Sequence, residues 1–179
     1  MRETIRLGVR LMAFALVAGL LLAVVNAVTA EPIARNREEK VTAARVAVIG
    51  EYTFEPVETD LSAYDCILGV YAAKDTHGAT VGYVYELSNR GYAGEITLSV
   101  GLLDGQVNAV SVSGHSETKG LGSADEAPFL AAFDGLSQPE EALSVDAMSG
   151  ATVSSTAVRE AVSQALAHAR DELGAGEVQ

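Results

Sequence analysis

The pattern of apolar and polar positions divides the chain in two. Leu11 to Ala30 is a run of twenty uncharged, mostly apolar residues, which as a helix rises about 30 Å and spans a bilayer core. In the next stretch, EPIARNREEKVTAARVAVIG, charges interleave with Val41, Ala44 and Val48. Pro32 near a start and Gly50 at a stop predict a membrane-proximal helix there. Beyond it CILGVYAA, TVGYVYEL, EITLSVGLL and QVNAVSVSG are rich in Val, Ile, Tyr and Thr and are separated by Gly, Asp and Asn, the pattern of four strands. Asp104-Gly105 between the last two is a hairpin signal, because a type I′ turn needs positive φ at both central residues. A short helix is expected around Ala127 to Phe133. From about Ser155 to Leu173, Val158, Ala161, Val162, Ala165, Leu166 and Ala169 form one apolar stripe at helical spacing. Grouped strands with helices at the ends predict an α+β fold, a mainly antiparallel sheet with flanking helices, preceded by one N-terminal transmembrane helix. The expected organisation is residues 1–10 as a cytoplasmic N-terminus, 11–30 as the transmembrane helix, 31–60 as a membrane-proximal helix and linker, and 61–179 as the folded domain.

Charge gives the first segment a direction. Arg2, Arg6 and Arg10 precede the apolar run, and excess arginine keeps that end in the cytoplasm, so the residues after Glu31 are expected outside it. Cleavage as a signal peptide is the alternative, since Val28 and Ala30 occupy positions a signal peptidase accepts. The run exceeds the roughly 7 to 15 residues of a signal-peptide apolar core, which favours a retained anchor. Of 12 Lys plus Arg and 24 Asp plus Glu, removing Arg2, Arg6, Arg10 and Glu3 leaves 9 against 23 for the remainder, about 14 net negative charges. Such a surface argues against nucleic acid and anionic lipid heads as partners. The sole cysteine, Cys66, excludes an intrachain disulfide and sits beside Ile67 and Leu68, as a buried inert thiol would.

Ordinary catalytic centres are poorly supported. His77, His115 and His168 are far apart, with no second His or Cys at metal-ligand spacing. His77 in a turn and His168 on the last helix are most simply solvated. Ser149, His115 and Asp146 could be assembled as a hydrolase triad, yet the chain has no Gly-x-Ser-x-Gly nucleophile turn. Two glycine-containing blocks remain. GHSETKGLG, Gly114 to Gly122, could bring backbone amides against a flat ligand or be a plain surface turn. DAMSGATVSST, Asp146 to Thr156, holds five hydroxyl side chains. Gly150 offers a bend, and Ser154, Ser155 or Thr156 can cap the final helix. Thr152 would then stand beside a helix N-terminus, which favours a phosphate, though ordinary capping explains the same residues.

Taken together the blocks resemble a family. SGAT at Ser149 to Thr152, with Asp146 before it and Ser154 and Ser155 after it, resembles the flavinylation motif of FMN-binding domains that carry flavin through a phosphoester to threonine. HSETKGLG is similar to that family's His-x-Glu-Thr-Pro-Gly-Leu-Gly block, and NRGYAGEITLSVGL to its Gly-Tyr-x-Gly segment and following strand. The family includes the G subunit of the Rnf ion-translocating electron transport complex and the C subunit of sodium-translocating NADH:quinone oxidoreductase; the chain's length favours the former, which is the shorter. The resemblance implies that residues 61–179 are an FMN-binding domain, with Thr152 bonded to the FMN phosphate and Ser149, Gly150, Ala151 and Ser155 shaping its surroundings. It implies that Glu117, Thr118, Gly120, Leu121 and Gly122 lie against the isoalloxazine, with Tyr92 and Gly94 beside it. Lys119 replaces the family's proline, which loosens that loop and adds a cation favouring anionic reduced flavin. Implied partners are the other membrane subunits of an Rnf-type complex and an FAD-dependent, magnesium-requiring flavin transferase, because a threonine hydroxyl is too weak a nucleophile to attack a phosphoanhydride unaided. The implied location is the cell (inner) membrane, single-pass, with the C-terminal domain extracytoplasmic and no net reaction catalysed by the chain alone. A standalone or regulatory FMN-binding module, and a flavin-free interaction domain, are the alternatives.

Overall fold

The computed structural model describes residues 2–115 and 127–174, and its contacts divide the chain into two units, Met1–Lys40 and Val41–Gln179. Helix α1 runs without a break over Arg2–Ile49. The stretch expected as a membrane-proximal helix lies within these bounds. In the first unit, Arg10–Glu31 is long and apolar enough to cross a membrane. The one hydroxyl near its end is satisfied locally, Thr29 Oγ1 donating to Val25 O at 2.7 Å, as a polar side chain in an apolar span requires.

The second unit begins with the last turns of α1. Ala44, Val48 and Ile49 are buried, a spacing that places them on one helix face. They meet the sheet where it carries glycine. A Cβ on Gly101 would collide with the Val48 carbonyl, and one on Gly82 with Leu102 O and the Ile49 side chain. The helix ends at Gly50, at φ +100, and Asn108 Nδ2 donates to Val48 O at 2.7 Å, satisfying one of the carbonyls every helix end leaves open. Arg45 lies 3.7 Å over the Tyr71 ring and pairs with Glu86 at 2.6 Å, fixing the helix rotation with a half-buried pair.

The sheet is a five-stranded antiparallel meander in the order β1-β2-β3-β4-β5: β1 Thr53–Pro56, β2 Ile67–Lys74, β3 Thr80–Arg90, β4 Glu95–Leu103 and β5 Gln106–Gly114. The four expected strands are present, and Asp104 and Gly105 have φ 50 and 75, as the hairpin signal required. Alternation then assigns the faces. Tyr85, Leu87, Ile96, Leu98, Val100 and Leu102 form the larger core with Val158, Ala161, Val162, Ala165, Leu166 and Ala169 of helix α4, Thr152–Leu173. Alanine at four of these contact positions, counting Ala157, lets the helix approach the sheet closely, while burial of Val162 and Leu166 contributes about 1.5 to 3 kcal/mol each. Between β5 and α4 lie α2 Ala127–Leu130, a 3-10 turn Ala131–Phe133 and α3 Pro139–Ser144. Helix α3 is short but well started: Pro139 at its first turn follows a capping box between Gln138 and Glu141.

Candidate cofactor-attachment site

Helix α4 begins three residues earlier than expected. Its N-cap is Ala151, with no side-chain cap, and Thr152 is its first residue. The chain is turned into the helix by Gly150 at φ +80, where a side chain would be strained. The Ala151 N–H donates to Met148 O at 3.1 Å, and the first helical bond is Ser155 N–H to Ala151 O at 2.8 Å. The amides of Thr152, Val153 and Ser154 therefore have no intrahelical acceptor, and the positive end of the helix dipole lies at Thr152.

This start changes the role of three hydroxyls. Ser154, Ser155 and Thr156 do not cap the helix, because they already lie inside its first turns. The Ser154 and Ser155 side chains are instead buried and tie down neighbouring segments. Ser154 Oγ accepts the Tyr92 N–H at 3.3 Å, and Ser155 Oγ accepts the Met148 N–H at 3.1 Å. Thr156 Oγ1 accepts from Arg159 Nη2 at 2.9 Å. Thr152 and Ser149 are the two exposed hydroxyl residues of the stretch, and neither side chain makes a hydrogen bond among the described residues. Asp146 is exposed as well.

Tyr92 and Gly94 belong to the β3–β4 turn, closed by Gly91 N–H to Gly94 O at 2.8 Å. The Ser154 contact stitches this turn to the first turn of α4. Tyr92 itself is 77% exposed, so its ring is free to lie against a ligand. A cavity of about 290 Å³ opens on this turn, lined by Asp65, Cys66, Ser88, Asn89, Arg90 and the Tyr92–Glu95 segment. The Tyr92 contact with Ser154 sets this turn against the start of α4, the stretch that holds Ser149, Gly150, Ala151, Thr152 and Ser155; Tyr92 and Gly94 line the cavity, and those five residues do not. Glu117, Thr118, Lys119, Gly120, Leu121 and Gly122 lie outside the described residues.

Cys66 is buried, and burial, reinforced by Glu160 and Asp65, pushes its thiol above the ordinary range, as expected for an inert cysteine. His77 is exposed, as expected. His168 is not: it is fully buried, with Nδ1 3.0 Å from the Tyr85 hydroxyl and Nε2 3.1 Å from Thr59 Oγ1. Burial lowers its pKa, opposed by Glu172 and Asp171, so the ring is neutral and both nitrogens are satisfied. The signal was present in the spacing, since His168 is three residues after Ala165 and seven after Ala161 on the buried stripe. Among the described residues no group of three or more His, Cys, Asp or Glu could hold a metal ion.

Comparison with known proteins follows these two parts of the molecule. Residues 91–167 match the FMN-binding domain, and residues 1–48 match the RnfG N-terminal region. The G subunit of the ion-translocating oxidoreductase complex of Methanosarcina acetivorans is 32% identical over 177 residues, covering 92% of this chain and 94% of its own length. The G subunit of the Na(+)-translocating ferredoxin:NAD(+) oxidoreductase complex of Acetobacterium woodii is 29% identical over 185 residues, covering 90% and 89%. Among solved structures, Shewanella oneidensis NqrC is similar with 22% identity and a TM-score of 0.43, covering 70% of this chain and 66% of that one.

Proposed function

From the premise that the chain belongs to the family of G subunits of ion-translocating oxidoreductase complexes, we propose that it is the membrane-anchored FMN electron-transfer subunit of an Rnf-type complex. Its FMN-binding domain and apolar N-terminal helix supply the two parts such a subunit needs. The Acetobacterium woodii complex is named for ferredoxin and NAD(+), and the same electron donor and acceptor, coupled to ion movement, are proposed here. Partners are the other membrane subunits of that complex. Arg2, Arg6 and Arg10 remain on the cytoplasmic side and the residues after Glu31 lie outside the cytoplasm, by the charge rule for single spans.

FMN is held as a phosphoester on Thr152. The observation that carries this assignment is the fate of the five hydroxyls: Ser154, Ser155 and Thr156 are engaged internally, whereas Thr152 is exposed at the open end of a 22-residue helix. The first-turn amides, which lack an intrahelical acceptor, and the positive dipole end fit a phosphate there. Ser149 is exposed too, but it precedes the Gly150 bend and has no such amides behind it. An FAD-dependent flavin transferase makes the bond. Thr152 Oγ1 replaces AMP at the flavin-side phosphorus of the FAD pyrophosphate, and its proton leaves to a base of the transferase. When attached, the flavin supplies reversible acceptance of electrons. The chain's own residues fix where it is attached, and the covalent link prevents its loss in a compartment without an FMN pool. Tyr92 and Gly94, stitched to α4 through Ser154, are the described candidates for contact with the ring.

The test is intact-mass measurement of the full chain coexpressed with a flavin transferase. Wild-type protein should gain one FMN less water, and Thr152→Val, nearly isosteric without the oxygen, should gain nothing. A full adduct on Thr152→Val would return the stretch to a structural role.

A further inference from the structure

The stretch Val145–Met148, on the chain's approach to α4, is held at both ends by side chains of that helix. Downstream, Ser155 Oγ takes the Met148 N–H. Upstream, a single guanidinium holds it. Arg159 Nη1 donates to Val145 O at 3.0 Å and to Leu143 O at 3.3 Å, and Nη2 donates to Thr156 Oγ1 at 2.9 Å. Ser155 and Arg159 are four residues apart and so lie on neighbouring positions of one helix face. The hydrogen bond to Thr156 holds the arginine back toward the helix start, the direction in which helical side chains lean. Leu143 and Val145 belong to the end of α3 and its C-cap, whose carbonyls would otherwise be left open.

Arg159 Nε is enclosed and has no hydrogen-bond partner among the described residues, so the role of the side chain rests on its two terminal nitrogens. What the guanidinium supplies is Nη1 on two carbonyls together with Nη2 on the Thr156 hydroxyl, three acceptors held by one rigid plane, a set that a single ammonium on a flexible stem does not hold in place. Asp146 and Ala147 between the anchors are exposed, as are Ser149 and Gly150 just after Met148, so the approach to α4 is preordered while its side chains stay available to a second protein.

We propose that Arg159 is a positioning residue for flavin attachment, holding the loop ahead of Thr152 in the one conformation that the transferase binds. The proposal rests on Thr152 as the attachment point. Releasing the Leu143 and Val145 carbonyls spreads the loop over several conformations, and a partner that binds one of them sees its apparent affinity fall by the fraction competent.

The experiment measures initial rates of flavin incorporation into the detergent-solubilised full chain, with purified flavin transferase, FAD and magnesium, as the concentration of the chain is varied. Arg159→Met should raise the KM for the chain about tenfold, a loss in the range of charge-assisted hydrogen bonds, with kcat changed less than about twofold. Arg159→Lys, able to keep one carbonyl, should fall between. Hydrogen exchange at residues 146–151 should quicken in both variants while that of the sheet is unchanged. A merely stabilising side chain would instead lower the fraction of protein that accepts flavin at saturation and leave the KM of the rest alone. If Arg159→Met does not fold by circular dichroism, Arg159→Lys decides. An unchanged KM in whichever variant folds overturns the proposal. Labelling of Thr152→Val in the same assay would instead remove the attachment assignment itself, and the role of Arg159 with it.

Discussion

His168 Nδ1 lies 3.0 Å from the hydroxyl of Tyr85, joining α4 to the centre of the sheet through two buried rings set edge to face at 5.6 Å between centroids. Burial raises the Tyr85 hydroxyl far above its ordinary range, so it keeps its proton. On its other side the imidazole meets Thr59 Oγ1 and packs edge to face with the Tyr64 ring, 5.0 Å between centroids. Asp171 and Glu172 supply negative charge nearby.

This arrangement makes stability depend on pH with a definite sign. The folded pKa of His168 is lowered from 6.5, so below that value the unfolded chain takes up a proton that the folded one resists. Its stabilising contribution is complete above about pH 6.5 and is lost as pH falls toward the folded value. Unfolding measured at about pH 7.5 and about pH 5.5 should show a less stable protein at the lower pH, with the difference reduced in His168→Gln. Asp60, Glu141 and Asp171 have lowered carboxyl pKa values, and their losses fall at more acidic pH. An equal pH dependence in wild type and variant would contradict the assignment.

Removing the Ser155 hydroxyl leaves the Met148 N–H without its acceptor. Ser155→Ala should cost about 1 to 3 kcal/mol, the range for an enclosed donor left unpaired, as read by thermal unfolding in detergent. Thr152→Val, on the exposed side of the same turn, should change stability by less than about 0.5 kcal/mol. Equal losses from the two would mean that they are not differently committed.

Gly101→Ala places a methyl against the Val48 carbonyl and Cβ. Because backbone must move to admit it, a loss of about 1 to 3 kcal/mol is expected, with faster hydrogen exchange at the end of α1. Gly69→Ala is the control, since its nearest neighbour is the movable Tyr71 ring at 3.4 Å. Similar stabilities for the two variants would argue against close docking of Val48 on the sheet.

Cys66 should react with iodoacetamide at least about tenfold more slowly in the folded chain than after denaturation, because burial both covers the sulfur and suppresses the thiolate. Mass spectrometry of alkylated protein reads the difference directly, and rapid labelling of the folded protein would show the thiol to be accessible.

The four long strands were legible because their alternation is long enough to repeat, and the Asp104-Gly105 turn because its backbone demand is met by few residues. Strand β1 was not: four residues with three exposed positions have no pattern of their own and become a strand by pairing with β2. The start of α4 was misplaced for an instructive reason. Serine and threonine are favoured as caps, so Ser154, Ser155 and Thr156 marked the boundary. Their oxygens accept from Tyr92, Met148 and Arg159 instead, partners that no local preference reveals. His168 illustrates the opposite case, in which its place on the apolar stripe outweighed the usual solvation of histidine. The bracket made by Arg159 lay beyond sequence reasoning because its acceptors are backbone carbonyls, which every residue possesses.

Thr152 occupies the first position of a long helix rather than the middle of a loop, and its β-branched side chain has few χ1 settings. A group bonded to Oγ1 therefore leaves the protein in one or two directions, with no flexible arm behind it. Its excursions are confined to the rotatable bonds of the group itself. If the flavin is bonded there as proposed, electron exchange with a neighbour has to come from bringing the start of α4 close to that neighbour, because the attachment point itself adds no reach.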